Sequence, residues 1–348
     1  MSLKEIANLL LNAERPVEIF GDISKEEIKK KYRSLAKICH PDIAPENEKD
    51  LAERTIKLLN DFYHKALDEI EKGIYNITDE KEILKTNDVL FEFDLKGKNY
   101  KFYKYLYSED ICDVYEGISD DKVVTLKIVA DEQDNDLVVN EYNVLKKLSH
   151  HSLPKLLSRV KINGKEALIL EKGNEISIED LKKEYGALDG SHVCWILERL
   201  LSIVGYLHSE KIVHGNIKEE NILIDVENHN VILKDYTLCI NNANDSNSKY
   251  KIINDDYTPN YVDKDSRVIP NADIYAVGKI AINLLGGDIS RVAMPTSCDA
   301  RIRTFIRKLL NSNENDAWKL WDELIKVREE VYGTKRFQKL EKKKVRRS

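Results

Sequence analysis

Apolar residues in the first part of the chain recur at helical spacing. Ile28, Tyr32, Leu35 and Cys39 stand at i, i+4, i+7 and i+11, which lines one face of a helix. Lys29, Arg33 and Lys37 stand at i, i+4 and i+8 and form a basic face beside that stripe. Ser24 is a suitable N-cap, and Glu26 and Glu27 in the first turn complement the helix dipole. Pro41 ends the helix, because a proline pushes the residue before it out of the α region. Val17 to Phe20, between Pro16 and Gly21, suits a short turn of helix. A second stripe, Ala52, Ile56, Leu59, Tyr63, Ala66 and Ile70, predicts a long helix over about 48–70 that returns antiparallel to the first. From 71 to 90 the stripe is lost and charge dominates, which predicts a linker. From Val89 the period becomes that of strands. VLFEFDL and NYKFYKYLY flank Lys96-Gly97-Lys98, and DVYEGI and KVVTLKIVA flank Asp120-Asp121, which reads as two hairpins. NEYNVLKKL then reads as helix, and the chain beyond Ser191 is largely helical. The fold class predicted is an α+β multidomain. An all-α unit covers 1–70, and a linker covers 71–90. An α+β domain follows over 91–333, and then a tail at 334–348.

Composition narrows this. Apolar residues at 42% and charged residues at 33% suit globular domains, and 348 residues suit about two of them. No run approaches the roughly 18 apolar residues of a membrane span; the best candidate, Ala272 to Leu285, is interrupted by Asp273 and Lys279. MSLKEIANLL carries Glu5 and no cleavage pattern of a signal peptide. The five cysteines are widely spaced, odd in number and without a CxxC, which argues against disulfides and zinc. A reduced, cytoplasmic location is the expectation. A net charge of −6 with both signs interleaved argues against a dedicated nucleic-acid binder. The tail is the exception, since Lys335, Arg336, Lys339, Lys342, Lys343, Lys344, Arg346 and Arg347 face only Glu341. It is expected to be a solvated end, with binding of RNA or an acidic partner as the alternative. Trp195, Trp318 and Trp321 fall in amphipathic patterns and are expected in the core.

The loop between the first two long helices reads His40-Pro41-Asp42. With EEIKKKYRSLAKICHPD before it and IKLLNDFYHKAL after it, this stretch resembles a J domain: basic second helix, HPD loop, and third helix with Leu59, Asn60 and Tyr63. The usual fourth helix is not recognisable in EKGIYNITDEKE. The resemblance implies docking on a chaperone of the DnaK, or 70 kDa heat-shock, class and stimulation of its ATP hydrolysis. His40, Pro41, Asp42, Lys29, Arg33 and Lys37 would carry it. An exposed basic stripe steers an acidic surface, and a proline-stiffened loop presents a fixed polar pair. The plainer reading makes the same lysines a solvated face and His40 a helix cap.

The remainder resembles a protein kinase in motif order over roughly Tyr100 to Tyr332, which implies a two-lobed fold with lobes at about 91–174 and 175–333. VVTLKIV would supply the ATP-anchoring Lys127, and NEYNVLKKL its partner Glu141. IVHGNIKEENILID resembles the catalytic loop, aligning His214, Gly215, Asn216, Lys218 and Asn221. LKDYTL resembles the metal-binding segment through Asp235, and ADIYAVGKIAINLLGG the helix whose buried Asp273 braces the catalytic loop. The resemblance implies ATP with magnesium as cofactor, Lys127 and Glu141 anchoring it and Asn221 and Asp235 holding the metal. The departures oppose catalysis. The stretch aligned with the phosphate-cradling glycine loop, Tyr107 to Tyr115, has no glycine and holds Glu109, Asp110 and Asp113, carboxylates that repel a triphosphate. Asn216 stands where the catalytic aspartate belongs, and an amide is no base. General base catalysis contributes about 10²–10⁴-fold. Thr237 replaces a glycine, and Asp263-Lys264-Asp265 replaces another kinase segment. For Lys127, Glu141, Asn221 and Asp235 two readings stand level: residual nucleotide binding, or a buried polar network that holds the lobes.

DNDLVVNEYNVLKKL, ALDGSHVCWILERLLSIVGYLHSEKIVHG and AWKLWDELIKVREEVYGTKRF look like a bacterial and phage-associated group in which a J domain precedes a degenerate kinase-like domain. The function expected is therefore a J-domain co-chaperone whose pseudokinase domain serves as a partner, client or nucleotide-binding module. A weak or atypical serine/threonine kinase delivered to chaperone clients is the alternative, and a non-catalytic scaffold is the third reading.

Overall fold

Two helices of the first unit start where a side chain satisfies their free backbone N–H groups. In the computed structural model, Ser2 caps α1 (Leu3–Asn12) and Ser24 caps α3 (Lys25–Cys39). Each forms a reciprocal capping box with the glutamate three positions on. The structure describes residues 1–13, 15–21, 24–41, 43–45, 48–71, 75, 88–243, 248–253, 256–263, 266–311, 313–334, 339, 340 and 342. Between α1 and α3 lies the short α2 (Pro16–Phe20), with Pro16 at its start. The long α4 (Lys49–Glu71) follows. The apolar stripes of α3 and α4 meet: Ile28, Leu35, Cys39, Ala52, Leu59 and Ala66 are buried in one core with Leu3, Ile6, Leu10, Ile19 and Phe20. Tyr32 stacks on Tyr63 at 4.0 Å between ring centres, and its hydroxyl donates to Asn60 Oδ1 at 2.8 Å.

Tyr75 belongs to the same core, beyond residue 70 where the sequence pattern ends. Its hydroxyl donates to the Gly21 carbonyl at 2.9 Å, and its own carbonyl accepts from Arg15, which also pairs with Glu69 at 3.2 Å. An isolated aromatic carries no period, so nothing in the linker marked it.

The chain forms two compact units, Met1–Lys104 with Gly117–Asp120, and Tyr105–Glu116 with Asp121–Ser348. The first takes in β1 (Phe91–Leu95) and the part of β2 (Lys98–Ser108) up to Lys104, which together form an antiparallel hairpin. Its physical basis is local pairing, Phe91 opposite Phe102 through Leu95 opposite Lys98.

After β3 (Cys112–Ser119), the second unit continues with β4 (Lys122–Val129), β6 (Lys165–Glu171) and β5 (Leu156–Ile162), side by side in that order. Helix α5 (Asn135–Lys147) packs on this sheet. Next come the short β7 (Ile176–Ser177), α6 (Ile178–Tyr185) and α7 (Gly190–Ser209). Helix α7 is buried on nearly every side, because α8 (Asn271–Leu284) and α10 (Ala317–Tyr332) pack on it, and α8 in turn packs on α9 (Ala300–Asn311). A buried ion pair, Arg328 to Glu198 at 2.6 Å, ties α10 to α7. Small strands carry the loops between α7 and α8. They are β8 (Ile212–Val213) paired with β11 (Ile240–Asn241), and β9 (Ile222–Asp225) between β7 and β10 (Asn230–Leu233).

Trp195 is buried, its indole donating to the His229 carbonyl. Trp318 is 40% exposed, contrary to the expectation of a core position, although its ring lies directly over Gly205, where a Cβ would come within 2.8 Å of it. The tail is not wholly solvated either. Leu340 is buried in the main core and Lys342 pairs with Glu184 at 3.0 Å. Residues 335–338, 341 and 343–348 lie outside the described residues, as do Lys264 and Asp265.

Candidate functional site

Two sets of residues were singled out by sequence. The first sits at the end of α3. Lys29, Arg33 and Lys37 are all exposed, beside the stripe of the buried Ile28, Leu35 and Cys39. His40 follows as the exposed C-cap with extended dihedrals (φ −71°, ψ 127°), the conformation imposed by Pro41. Its carbonyl accepts from the amides of Ile43 and Ala44 at 3.1 and 3.3 Å, closing a tight turn over the loop. Asp42 lies outside the described residues.

The second set converges in the second unit. Lys127 projects from β4, and its ammonium lies 2.7 Å from each of three carboxylates: Glu141 on α5, Asp235 after β10, and Glu109 in the turn before β3. All four side chains are at most 8% exposed. The Asp235 contact is aligned as a hydrogen bond, and the other two are ion pairs. Burial works against the lysine's charge, but the three carboxylates overcome it and raise its pKa well above the usual range. Burial likewise raises Asp235, yet the charge and hydrogen bond of Lys127, with the Thr237 hydroxyl, hold that carboxyl below the usual range. For Glu141 burial wins, and its pKa is raised.

The segment after β10 is fixed from several directions. Glu141 accepts the Tyr236 amide at 3.0 Å, and Asn140 donates to the Thr237 and Cys239 carbonyls. Thr237 donates to Asp235 Oδ1 at 2.6 Å. Asp235 itself takes the left-handed conformation at φ 65°. The loop after β8 is braced by Asp273 of α8, which accepts the amides of His214 and Gly215 at 2.8 and 2.9 Å and pairs with His208 at 3.0 Å. Gly215 has φ 68°, which favours glycine. His214 is wholly buried, edge-on to Tyr236, and burial lowers its pKa.

Asn216 sits in this loop with its amide nitrogen 2.8 Å from Asp110 Oδ2 and 3.4 Å from Asp235 Oδ2. It acts as a donor where a general base would accept. Lys218 reaches the same Asp110 with contacts of 2.8 and 2.9 Å. Asn221 donates to the Asn216 carbonyl at 2.9 Å. Sequence reasoning gave no role to Lys234, which pairs with Glu109 Oε1 at 2.5 Å and lies over the Tyr107 ring. It also read Glu109 and Asp110 only as repulsive to phosphate, whereas they turn inward and bind the lysines. No linear pattern reports which way a turn residue points.

A magnesium nucleotide does not fit these residues as they stand. Lys127, Lys218 and Lys234 already hold carboxylates, and Asp235 Oδ1 is engaged by Lys127 and Thr237. Among the described residues, no three His, Cys, Asp or Glu side chains form a metal-holding group.

A lysine on an inner strand, a glutamate on the helix packed beside it, and a loop braced by a buried aspartate are the framework of a protein kinase fold. Residues 109–344 match the protein kinase domain family, and the chain belongs to that family. Residues 18–76 match the DnaJ domain, so a DnaJ domain at the N-terminus is followed by a kinase domain. A probable serine/threonine-protein kinase of Dictyostelium discoideum is 29% identical over 162 residues, covering 45% of this chain and 32% of that protein. The cyclin-dependent kinase-like 1 protein of Caenorhabditis elegans is 27% identical over 172 residues, 48% of each chain. The serine/threonine-protein kinase pim-2 of Danio rerio is 30% identical over 189 residues, 48% of this chain and 60% of its own. The chain thus spans less than two thirds of the length of these relatives. Kinase domains as a family use ATP and magnesium, and a DnaJ domain implies a co-chaperone role with a 70 kDa heat-shock-type partner. No described helix is long and apolar enough to cross a membrane.

Proposed function

We propose that the protein recruits a DnaK-type chaperone through its J domain and stimulates that chaperone's ATPase, while its kinase domain is a pseudokinase that engages a client or partner. The observation that carries this reading is α3, an exposed basic helix ending in a proline-fixed turn at His40, with Ile28, Leu35 and Cys39 of its apolar stripe buried in the core. Such a surface steers an acidic partner and presents a rigid contact at its tip. The pseudokinase part rests on Asn216, whose amide donates to Asp110 and has no basic lone pair for a substrate hydroxyl. The buried, unpaired cysteines suit a cytoplasmic setting. The test is chaperone ATPase measured with purified wild type and His40→Gln. Stimulation by wild type and none by the variant is expected; equal rates would refute the reading.

A second reading is favoured by one observation, the meeting of Lys127, Glu141 and Asp235 within 2.7 Å contacts in a chain related to serine/threonine kinases. In it the domain is a weak phosphotransferase, a reading that requires Asp235 and Asn221 to give up their present contacts before ATP and magnesium enter. Labelled phosphate transfer from ATP that disappears in Lys127→Ala would favour it, and no transfer would remove it.

A further inference from the structure

Glu109 and Asp110 are consecutive; three of their four carboxylate oxygens accept hydrogen bonds from side-chain nitrogens, and the fourth, Glu109 Oε2, is ion-paired with Lys127. Glu109 Oε1 meets Lys234 and Oε2 meets Lys127; Asp110 Oδ1 meets Lys218, and Oδ2 meets both Lys218 and Asn216. The donors come from β4, the loop after β8 and the end of β10. Three separate elements thus aim cations at two adjacent anionic groups, which is how an oligophosphate is held.

We propose that Glu109 and Asp110 are an internal anionic ligand, and that Lys127, Lys218 and Lys234 form a latent oligophosphate site which these two carboxylates occupy. The proposal deepens the pseudokinase reading and rests on it. The turn is built to deliver the two groups. The Glu109 amide donates to the Cys112 carbonyl at 2.7 Å, and the Ala130 amide donates to the Ile111 carbonyl at 2.9 Å. Cys112 is buried and Ile111 packs on the same core, so the tip is anchored on both sides. Structural neutralisation of Lys127 does not need Glu109, because Glu141 and Asp235 already pair with it. With the turn in place, three lysines face four carboxylates and the cluster carries an excess negative charge, which repels phosphate. With Glu109 and Asp110 neutralised, the same three lysines face two carboxylates, and the excess becomes positive. The ligand class is then a chain of phosphates, free or carried by a nucleoside.

The experiment is calorimetric titration of the full chain with tripolyphosphate, ADP and ATP, with and without magnesium, comparing wild type with Glu109→Gln/Asp110→Asn. Circular dichroism checks the fold. The double variant should bind tripolyphosphate at least about tenfold more tightly than wild type. Adding Lys234→Ala should remove the gain. Equal binding of ATP and tripolyphosphate would make the phosphate chain the whole ligand, and tighter ATP binding would make it a nucleotide; either supports the proposal. Equal affinities in wild type and variant, or no binding by a folded variant, would overturn it. Should the double variant fail to fold, Asp110→Asn alone decides by the same criterion, since Asp110 is 25% exposed and its loss costs less. Chaperone stimulation by the same proteins separates this from the co-chaperone reading, which fails only when His40-dependent stimulation is absent.

Discussion

The two regions of this chain use lysine in opposite ways. On α3, Lys29, Arg33 and Lys37 stand in solvent over a helix whose stability comes from its apolar face. In the kinase domain, Lys127 is buried and ringed by carboxylates, and Lys218 and Lys234 are largely covered and paired. A solvated charge is available to a partner and contributes little to folding. A buried, paired charge contributes heavily to the integrity of its site and is unavailable until its partner leaves. The basic face of α3 is therefore open to solvent, while the lysines of the kinase domain are held by its own carboxylates.

The sharpest way to break this contrast is Lys127→Ala. It leaves Glu109, Glu141 and Asp235 together in a buried space, and breaking a buried pair in this way typically costs about 3–5 kcal/mol. All three tryptophans lie in the second unit, so tryptophan fluorescence in a urea titration reads that unit selectively. A loss under about 1 kcal/mol would mean the cluster is not the integral network described.

A smaller effect follows from His214. Burial lowers its pKa against the pull of Asp273 and Asp235, so the folded state keeps it neutral while the unfolded chain takes up a proton below about pH 6.5. The unfolded state then binds more protons, and stability falls as the pH drops from about 6.5 toward the lowered folded value. The slope is at most about 1.4 kcal/mol per pH unit. The urea midpoint by tryptophan fluorescence should decline between pH 7 and 5, and His214→Leu should flatten the decline. An unchanged slope in the variant would assign the acid sensitivity elsewhere.

The smallest stability effect belongs to α3. Replacing Lys29, Arg33 and Lys37 by alanine should alter the helical unit by no more than about 0.5 kcal/mol per site, read by amide hydrogen exchange. The same triple variant should slow association with the chaperone and flatten its dependence on salt. A large loss of stability without any change in association would reverse the assignment of the two lysine sets.

Legibility in the sequence followed the range of the interactions. The stripes of α3 and α4, the Ser24 cap and the stop at Pro41 are local and periodic, and they appear where the pattern put them. Lys127, Glu141, Asn216 and Asp235 could be named from motif order, and the fold brings them into one cluster. Other features were hidden because each depends on a contact far along the chain. Tyr75 reaches Gly21 across 54 positions, Lys234 reaches Glu109 across 125, and Leu340 enters the main core from a run of basic residues. Trp318 shows the converse, an aromatic in an amphipathic helix that covers Gly205 while keeping much of its surface in solvent.

The sequence by itself determined the helical unit, the order of the kinase elements and the presence of an amide at position 216, because propensity, period and residue type are properties of short segments. The tertiary structure alone decided that Glu109 and Asp110 point inward and pair with Lys127, Lys218 and Lys234. The reason is physical: a turn's direction is set by the core that anchors Ile111 and Cys112 and by cations brought in from three distant elements. Nothing within the turn's own residues encodes that convergence.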